Sequence, residues 1–411
     1  MGHYYEQAKA AEKELRGLFP ATPLQRNDHL SEKYDADIWL KREDLSPVRS
    51  YKLRGAFNAM RKHPDQDTFV CASAGNHAQG VAYACRHPKK NGVVFMPVTT
   101  PDQKIHKTKT FGGEFIEVRL IGDFFDEALA AAQAYCTEVG AQFLSPFDDV
   151  DVMEGQSTVT LETLQQLGKN PDIMVLPVGG GGLSSSSRRL MQEQSPETEL
   201  FFVEPKGGAS LAAAVNAGEL VTLNDIDTFV DGAAVARIGD NTFAALKGTD
   251  IDHVLSVAED RICGTILEML NIEGVVLEPA GALSIDVLQD IKDQIKGKTV
   301  VCIASGGNFD FERLPEVKER AQRFQGLKKY FVLTLPQRPG ALKEFLGFLG
   351  PNDDISRFEY MKKSARNFGS VLIGIETKDT ANFDRLMDLA AEAGMKMRDI
   401  TDDRAIVDLI I

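Results

Sequence analysis

Short apolar runs recur through the first 305 residues, each ending in a turn of small residues that opens a helical stretch. Phe69-Val70-Cys71-Ala72 leads through Ser73-Ala74-Gly75-Asn76-His77 into a helix predicted over 78–86. Val93-Val94-Phe95-Met96-Pro97 precedes a lysine-rich helix, and Glu114 to Ile121 is a further strand. Asp123 then reads as the N-cap of an alanine-rich helix over 124–139. Ile173 to Val178 ends in four glycines, and Leu200 to Val203 and Val300 to Ala304 are runs of the same kind. Such strands are buried on both faces, and their alternation with helices implies parallel sheets covered on each side. An α/β architecture of this type places ligands outside the carboxyl ends of its strands.

The flanking segments extend this reading. Residues 4–17 have helical spacing and are stopped by Pro20 and Pro23. A strand over 36–41 delivers the chain to Ser50-Tyr51-Lys52-Leu53-Arg54-Gly55, at the start of a helix predicted over 52–62. Near Gln322 the composition turns polar and a second pattern begins. Strands are predicted at 330–335, 355–362, 370–376 and 395–400, with helices at 340–349 and 382–394. That βαββαβ order is the ferredoxin-like α+β layout. The expected domains are therefore 1–322 (small subdomain roughly 53–150), a linker at 323–329, a ferredoxin-like unit at 330–404 and a tail at 405–411.

Composition narrows the functional classes. A chain of 411 residues has room for two or three domains with sizeable cores. Its formal net charge of -14 argues against a nucleic-acid partner. The five cysteines are scattered without a CxxC pair, as expected of buried thiols in a reducing compartment. There is no signal-peptide core and no apolar run long enough to span a membrane, so a cytoplasmic location is expected.

Lys52 is the first candidate for chemistry. A desolvated lysine loses its preference for the ammonium form and becomes an imine-forming amine, although most lysines are solvated surface charges. Gly179-Gly180-Gly181-Gly182-Leu183 follows a buried strand and precedes a helix, so its amides can approach an anion such as a phosphate. The same run also reads as a plain turn or hinge. No Lys-Ser/Thr follows it, which excludes a P-loop, and the spacing is not the dinucleotide fingerprint. The turn Ser73 to His77 can receive a carboxylate, with Asn76 a donor to a phenolic oxygen and His77 either a general base or a structural histidine. Ser305-Gly306-Gly307-Asn308 puts a hydroxyl at another strand end.

These segments together resemble the fold-type-II pyridoxal-phosphate (PLP) enzymes, and most closely the short-form biosynthetic threonine dehydratases. The resemblance rests on Lys41-Arg42-Glu43-Asp44 with Arg49 to Ala56, Ala72 to Gly80, Pro177 to Leu183, Glu278-Pro279-Ala280-Gly281-Ala282 and Ser305 to Asn308. The segment from 330, including Pro336-Gln337-Arg338-Pro339-Gly340-Ala341-Leu342, is similar to the single ACT-like domain of that group. It implies two subdomains of parallel or mixed sheet, like the β subunit of tryptophan synthase, and pyridoxal 5'-phosphate as cofactor. Lys52 would hold the cofactor as an imine and then take the substrate Cα proton, and Tyr51 would pack on the ring. Gly179, Gly180, Gly181, Gly182 and Leu183 would bind the phosphate. Asn76 would meet the ring oxygen and Ser305 the pyridine nitrogen. Ser73, Ala74, Gly75, Asn76 and His77 would receive the substrate carboxylate. A neutral serine at the ring nitrogen makes the ring a weaker electron sink than a carboxylate partner would, which favours loss of a β-hydroxyl. Ala74 stands where related racemases carry a serine and has no proton to give. The implied reaction is L-threonine to 2-oxobutanoate and ammonia, the first committed step of isoleucine biosynthesis. Isoleucine would inhibit through the C-terminal domain near Arg338-Pro339-Gly340, with valine opposing it. A homodimer or homotetramer is implied.

The sequence also departs from the family. Ser184-Ser185-Ser186-Ser187 replaces a small apolar stretch behind the glycine loop, and Ser157 stands where glycine is common. Glu204-Pro205 resembles a cation site of some relatives, but Ser210 replaces an acidic ligand, so no metal is expected. Two other readings therefore stay open: a PLP lyase or synthase acting on serine or activated serine, and an inactive amino-acid-binding regulator.

Overall fold

The structure, a computed structural model, describes residues 3–361 and 368–403. The expected tail at 405–411 and the end of the strand predicted at 355–362 lie outside the described residues. Two compact units divide between Phe309 and Asp310. The sequence placed the boundary later, with a linker at 323–329. Helix Leu314–Phe324 belongs with the C-terminal unit, because its Glu319 accepts from the Tyr330 hydroxyl at 3.0 Å and pairs with Lys328 at 2.5 Å.

The first unit holds two sheets. One has six strands in the order Leu24–Arg26, Asp37–Arg42, Thr299–Ala304, Ile173–Pro177, Glu199–Pro205 and Val254–Val257. All its neighbours run parallel except the short edge strand Leu24–Arg26. The other sheet is parallel throughout, in the order Ile116–Leu120, Asn91–Met96, Thr68–Ala72 and Gln142–Phe143. The fully apolar runs behave as their composition dictates: every residue of Ile173–Pro177 and of Thr299–Ala304 is buried. All five cysteines are buried free thiols. Helix Val150–Leu167 shows no clean amphipathic stripe in sequence because it is buried nearly all round from Val152 to Thr163. One cap differs from expectation. Helix Phe125–Val139 is opened by Phe124, with no cap from Asp123; Glu127 folds back to accept from the amides of Asp123 and Phe124 at 2.7 and 3.1 Å.

The second unit is an antiparallel sheet in the order Asp354–Met361, Phe368–Glu376, Lys328–Pro336, Lys396–Asp399. Phe331, Leu333, Val371, Ile373 and Ile375 form its core with Phe345, Phe383 and Leu386 of helices Ala341–Leu346 and Ala381–Glu392. Among the described residues no helix is long and apolar enough to cross a membrane.

Candidate active site

Lys52 opens helix Lys52–Arg61, where the chain arrives from strand Asp37–Arg42. Its Nζ donates to the Pro146 carbonyl at 2.7 Å and lies 5.4 Å from the Tyr51 ring centre and 6.0 Å from that of Phe147. Loss of solvation between these rings pushes the ammonium down to about 8, against a smaller upward pull from Glu278. An amine that is half free near pH 8, rather than above pH 10, is what imine chemistry requires.

The other strand ends converge on the same place. The Tyr51 amide donates to the Ser305 carbonyl at 3.3 Å, and Ser50 bridges Gly306. Ser305 is buried with its hydroxyl donating to the Ala280 carbonyl at 3.2 Å. The glycine loop enters helix Gly182–Gln194 through Gly181 at φ +88°, a left-handed conformation in which a side chain is strained. A Cβ on Gly180 would fall 2.3 Å from the Phe147 ring, so no other residue fits there without displacing it. Among the described residues the amides of Gly179 to Leu183 donate to no protein acceptor, and they stand at the positive end of a 13-residue helix. A cradle of free amides beside a desolvated lysine fits an aldehyde cofactor that also carries a phosphate.

Ser73 accepts from the Gly75 amide at 3.2 Å, which closes the turn before helix Asn76–Arg86. Asn76 is held on two sides: its Nδ2 donates to Glu278 Oε1 at 2.6 Å and its Oδ1 accepts from Asn308 Nδ2 at 2.7 Å. His77 is buried with Nε2 on the Leu144 carbonyl at 2.9 Å. Burial, then the Lys52 charge, pushes its imidazolium down to about 3, so the ring is neutral. With its one N–H committed to a carbonyl, Nδ1 is a bare acceptor, and the ring does not donate to a carboxylate.

The serines behind the glycine loop all have hydrogen-bond partners within the protein. Ser184, Ser185 and Ser186 donate to the carbonyls of Gly181, Gly182 and Leu183 at 3.3, 3.4 and 2.8 Å, and Ser187 accepts from Thr160 at 2.8 Å. Ser157 likewise donates to the Glu154 carbonyl at 2.6 Å. Glu204 accepts from the amides of Leu211 and Ala212 at 2.7 and 2.9 Å, capping helix Ser210–Ala217. Sequence reasoning missed Pro146 and Phe147, because the strand before them, Gln142–Phe143, is only two residues long and has no periodicity to read. It quoted Glu278 and Asn308 within motifs but gave neither a place in the site.

Comparison with known proteins agrees with this geometry. Residues 15–306 match the family model described as "Pyridoxal-phosphate dependent enzyme", and residues 319–410 match the "C-terminal regulatory domain of Threonine dehydratase". The chain is 47% identical over 405 residues to the biosynthetic L-threonine dehydratase of Bacillus subtilis, covering 98% of this chain and 96% of that one. The Staphylococcus aureus (strain NCTC 8325 / PS 47) protein of the same name is 48% identical over 373 residues, covering 89% and 88%. Among solved structures, the processed form of threonine deaminase isoform 2 from Solanum lycopersicum is similar with a TM-score of 0.73 at 36% identity, covering 77% of this chain and 92% of that one.

Proposed function

The chain belongs to the pyridoxal-phosphate dependent enzymes, joined to a threonine dehydratase regulatory domain, and we propose that it converts L-threonine to 2-oxobutanoate and ammonia under amino-acid control. The observation that carries this reading is Lys52, enclosed by aromatic rings, lowered in basicity and faced by the turns of three parallel strands. Lys52 and Tyr51 would hold the cofactor ring, Gly179 to Leu183 its phosphate, Asn76 its phenolic oxygen and Ser305 its nitrogen. Bound there, pyridoxal phosphate supplies an electron sink for the pair left when a proton leaves Cα. The amides of the Ser73–His77 turn orient the substrate carboxylate, which fixes the amino acid for attack. Lys52, as the free amine, takes the Cα proton, and the β-hydroxyl leaves as water. The enamine so released tautomerises and hydrolyses, so threonine yields 2-oxobutanoate and ammonia with no net redox change. Ala74 offers no proton to the opposite face, which supports elimination over racemisation.

The direct test is 2-oxo acid formation from threonine and from serine by the purified chain. Threonine turnover is expected; reaction with activated serine alone would sink the reading. The serine run that suggested an inactive regulator gives that reading no support, since three of its hydroxyls donate to carbonyls three residues back and the fourth accepts from Thr160.

The lysine also sets a pH dependence. Its folded value of about 8 lies below the ordinary lysine value, so the reactive amine grows as pH rises toward 8. Attachment of pyridoxal phosphate to the apo chain should accelerate about tenfold from pH 6 to 7 and level off above about 8. A stopped-flow absorbance series reads this, and a rate still climbing at pH 10 would contradict it.

For the C-terminal unit, isoleucine is the proposed inhibitor and valine its antagonist, acting in a cytoplasmic homodimer or homotetramer. A coupling of about 1–3 kcal/mol suffices for such control. Isoleucine should raise the threonine concentration needed for half-maximal rate in the full chain, and a chain ending at Phe309 should lose that response. An unchanged response in the shortened chain would refute it.

A further inference from the structure

Asn76 can do its proposed work only in one of two amide orientations. Its Nδ2 must face the cofactor's phenolic oxygen; rotated by half a turn, it would present Oδ1, an acceptor against an acceptor. We propose that Asn308 and Glu278 are positioning residues that lock the Asn76 carboxamide from both ends, so that its remaining Nδ2–H is offered to the cofactor. The proposal rests on the functional reading above.

The polarity of the chain of contacts starts at a backbone group. The Val48 carbonyl can only accept, and it takes a hydrogen bond from Asn308 Nδ2 at 2.8 Å. The same Nδ2 therefore has its second hydrogen for Asn76 Oδ1, 2.7 Å away. That identifies the other terminus of Asn76 as the donor, and it reaches Glu278 Oε1 at 2.6 Å. Reversing Asn76 would set donor against donor at Asn308. One Nδ2–H of Asn76 is then used and one is left, in a fixed direction.

The surroundings are shaped for this carboxyl. A Cβ on Gly306 would fall 2.1 Å from Glu278 Oε1, and a Cβ on Gly281 would fall 2.1 Å from the Gly306 carbonyl. The Glu278 amide donates to that carbonyl at 3.2 Å. Two glycines thus let the strand end at Ser305 and the start of helix Pro279–Asp286 interlock: the Gly306 carbonyl takes the space at Gly281, and the Glu278 side chain takes the space at Gly306. Burying a carboxyl is costly unless it is hydrogen-bonded. Burial, then Asp231, pushes Glu278 up to about 7, while Asn76 opposes the rise. In either protonation state one oxygen keeps a lone pair for Asn76.

The test titrates pyridoxal phosphate into the full apo chain and reads the dissociation constant and the absorbance maximum of the bound form. Glu278→Met, which keeps bulk but removes the acceptor, should weaken binding about tenfold and move the maximum. Glu278→Gln, which can still accept, should stay within about twofold of the unaltered chain. In an Asn76→Ala background, Glu278→Met should add less than about twofold, because its effect passes through Asn76. Additive losses, or a Glu278→Met chain identical to the parent in affinity and spectrum, would overturn the proposal. If Glu278→Met does not fold by circular dichroism, Asn308→Leu carries the same cycle with the same expectations. A parent chain without any borohydride-sensitive absorbance would instead refute the functional reading itself.

Discussion

Lys52→Ala is expected to abolish the yellow absorbance of bound cofactor and to lower threonine turnover by at least about 10⁴-fold, since one side chain supplies both the covalent attachment and the base. The fold should survive the change. Lys52 is the first residue of its helix and makes one hydrogen bond, to the Pro146 carbonyl, so no buried partner loses a charge. Alanine is also a good helix residue at that point. Thermal unfolding within a few degrees of the parent, together with absence of the yellow, borohydride-sensitive absorbance, would separate a lost catalyst from a lost fold. Retention of a borohydride-sensitive chromophore in the variant would assign the attachment to another lysine.

Much of this site was legible because its parts are contiguous. The Ser73–His77 turn, the glycine run and Ser305 each sit at the end of an apolar strand of a parallel sheet, and ligands lie outside such ends whatever the loop details. Contacts between segments far apart in sequence were not legible. Nothing in Glu278-Pro279-Ala280-Gly281 says that Glu278 reaches Asn76, 202 positions earlier, or that Gly281 exists to admit the Gly306 carbonyl. Phe147 follows a strand too short to register, yet it covers Gly180. The serine run misled in the opposite sense. Four hydroxyls beside a phosphate loop suggest ligand contacts, whereas the helix draws three of them to carbonyls three residues back. His77 shows the same limit: its residue type suggests a base, and only its burial beside Lys52 reveals a ring held neutral and weakly basic.

Arg54→Leu should cost the first unit about 3–5 kcal/mol at neutral pH, the loss expected when one member of a buried charge network is removed. Arg54 is fully buried two residues beyond Lys52. Its guanidinium donates to both oxygens of Glu43 at 2.8 Å, to those of Glu162 at 2.7 and 2.8 Å, and to Thr22 and Thr158 at 3.0 and 3.1 Å. Lys41 adds a second cation at 2.8 Å from Glu162, and Arg16 also pairs with that carboxylate. Leucine would leave Glu43 buried with Thr22 as its remaining side-chain donor, at 2.6 Å. The pH dependence identifies the cause. Burial alone would raise the Glu162 carboxyl, but Arg54 first, then Lys41 and Arg16, hold it down at about 2. A depressed carboxyl contributes stability above its unfolded value of about 4.3, and that contribution is lost as pH falls toward the folded value. The gap between parent and Arg54→Leu should therefore narrow from about pH 4 downward and be widest near neutrality. Trp39, the chain's one tryptophan, lies on the strand that also carries Lys41, so its fluorescence in urea reports this unit. A loss under about 1 kcal/mol, or a gap that does not change with acid, would mean that the network stabilises no more than a surface ion pair does. The helix start that presents Lys52 would then owe its position to the packing of Leu53 and Ala56 and to the backbone contacts of Ser50 and Tyr51 with the Ser305–Gly306 strand end.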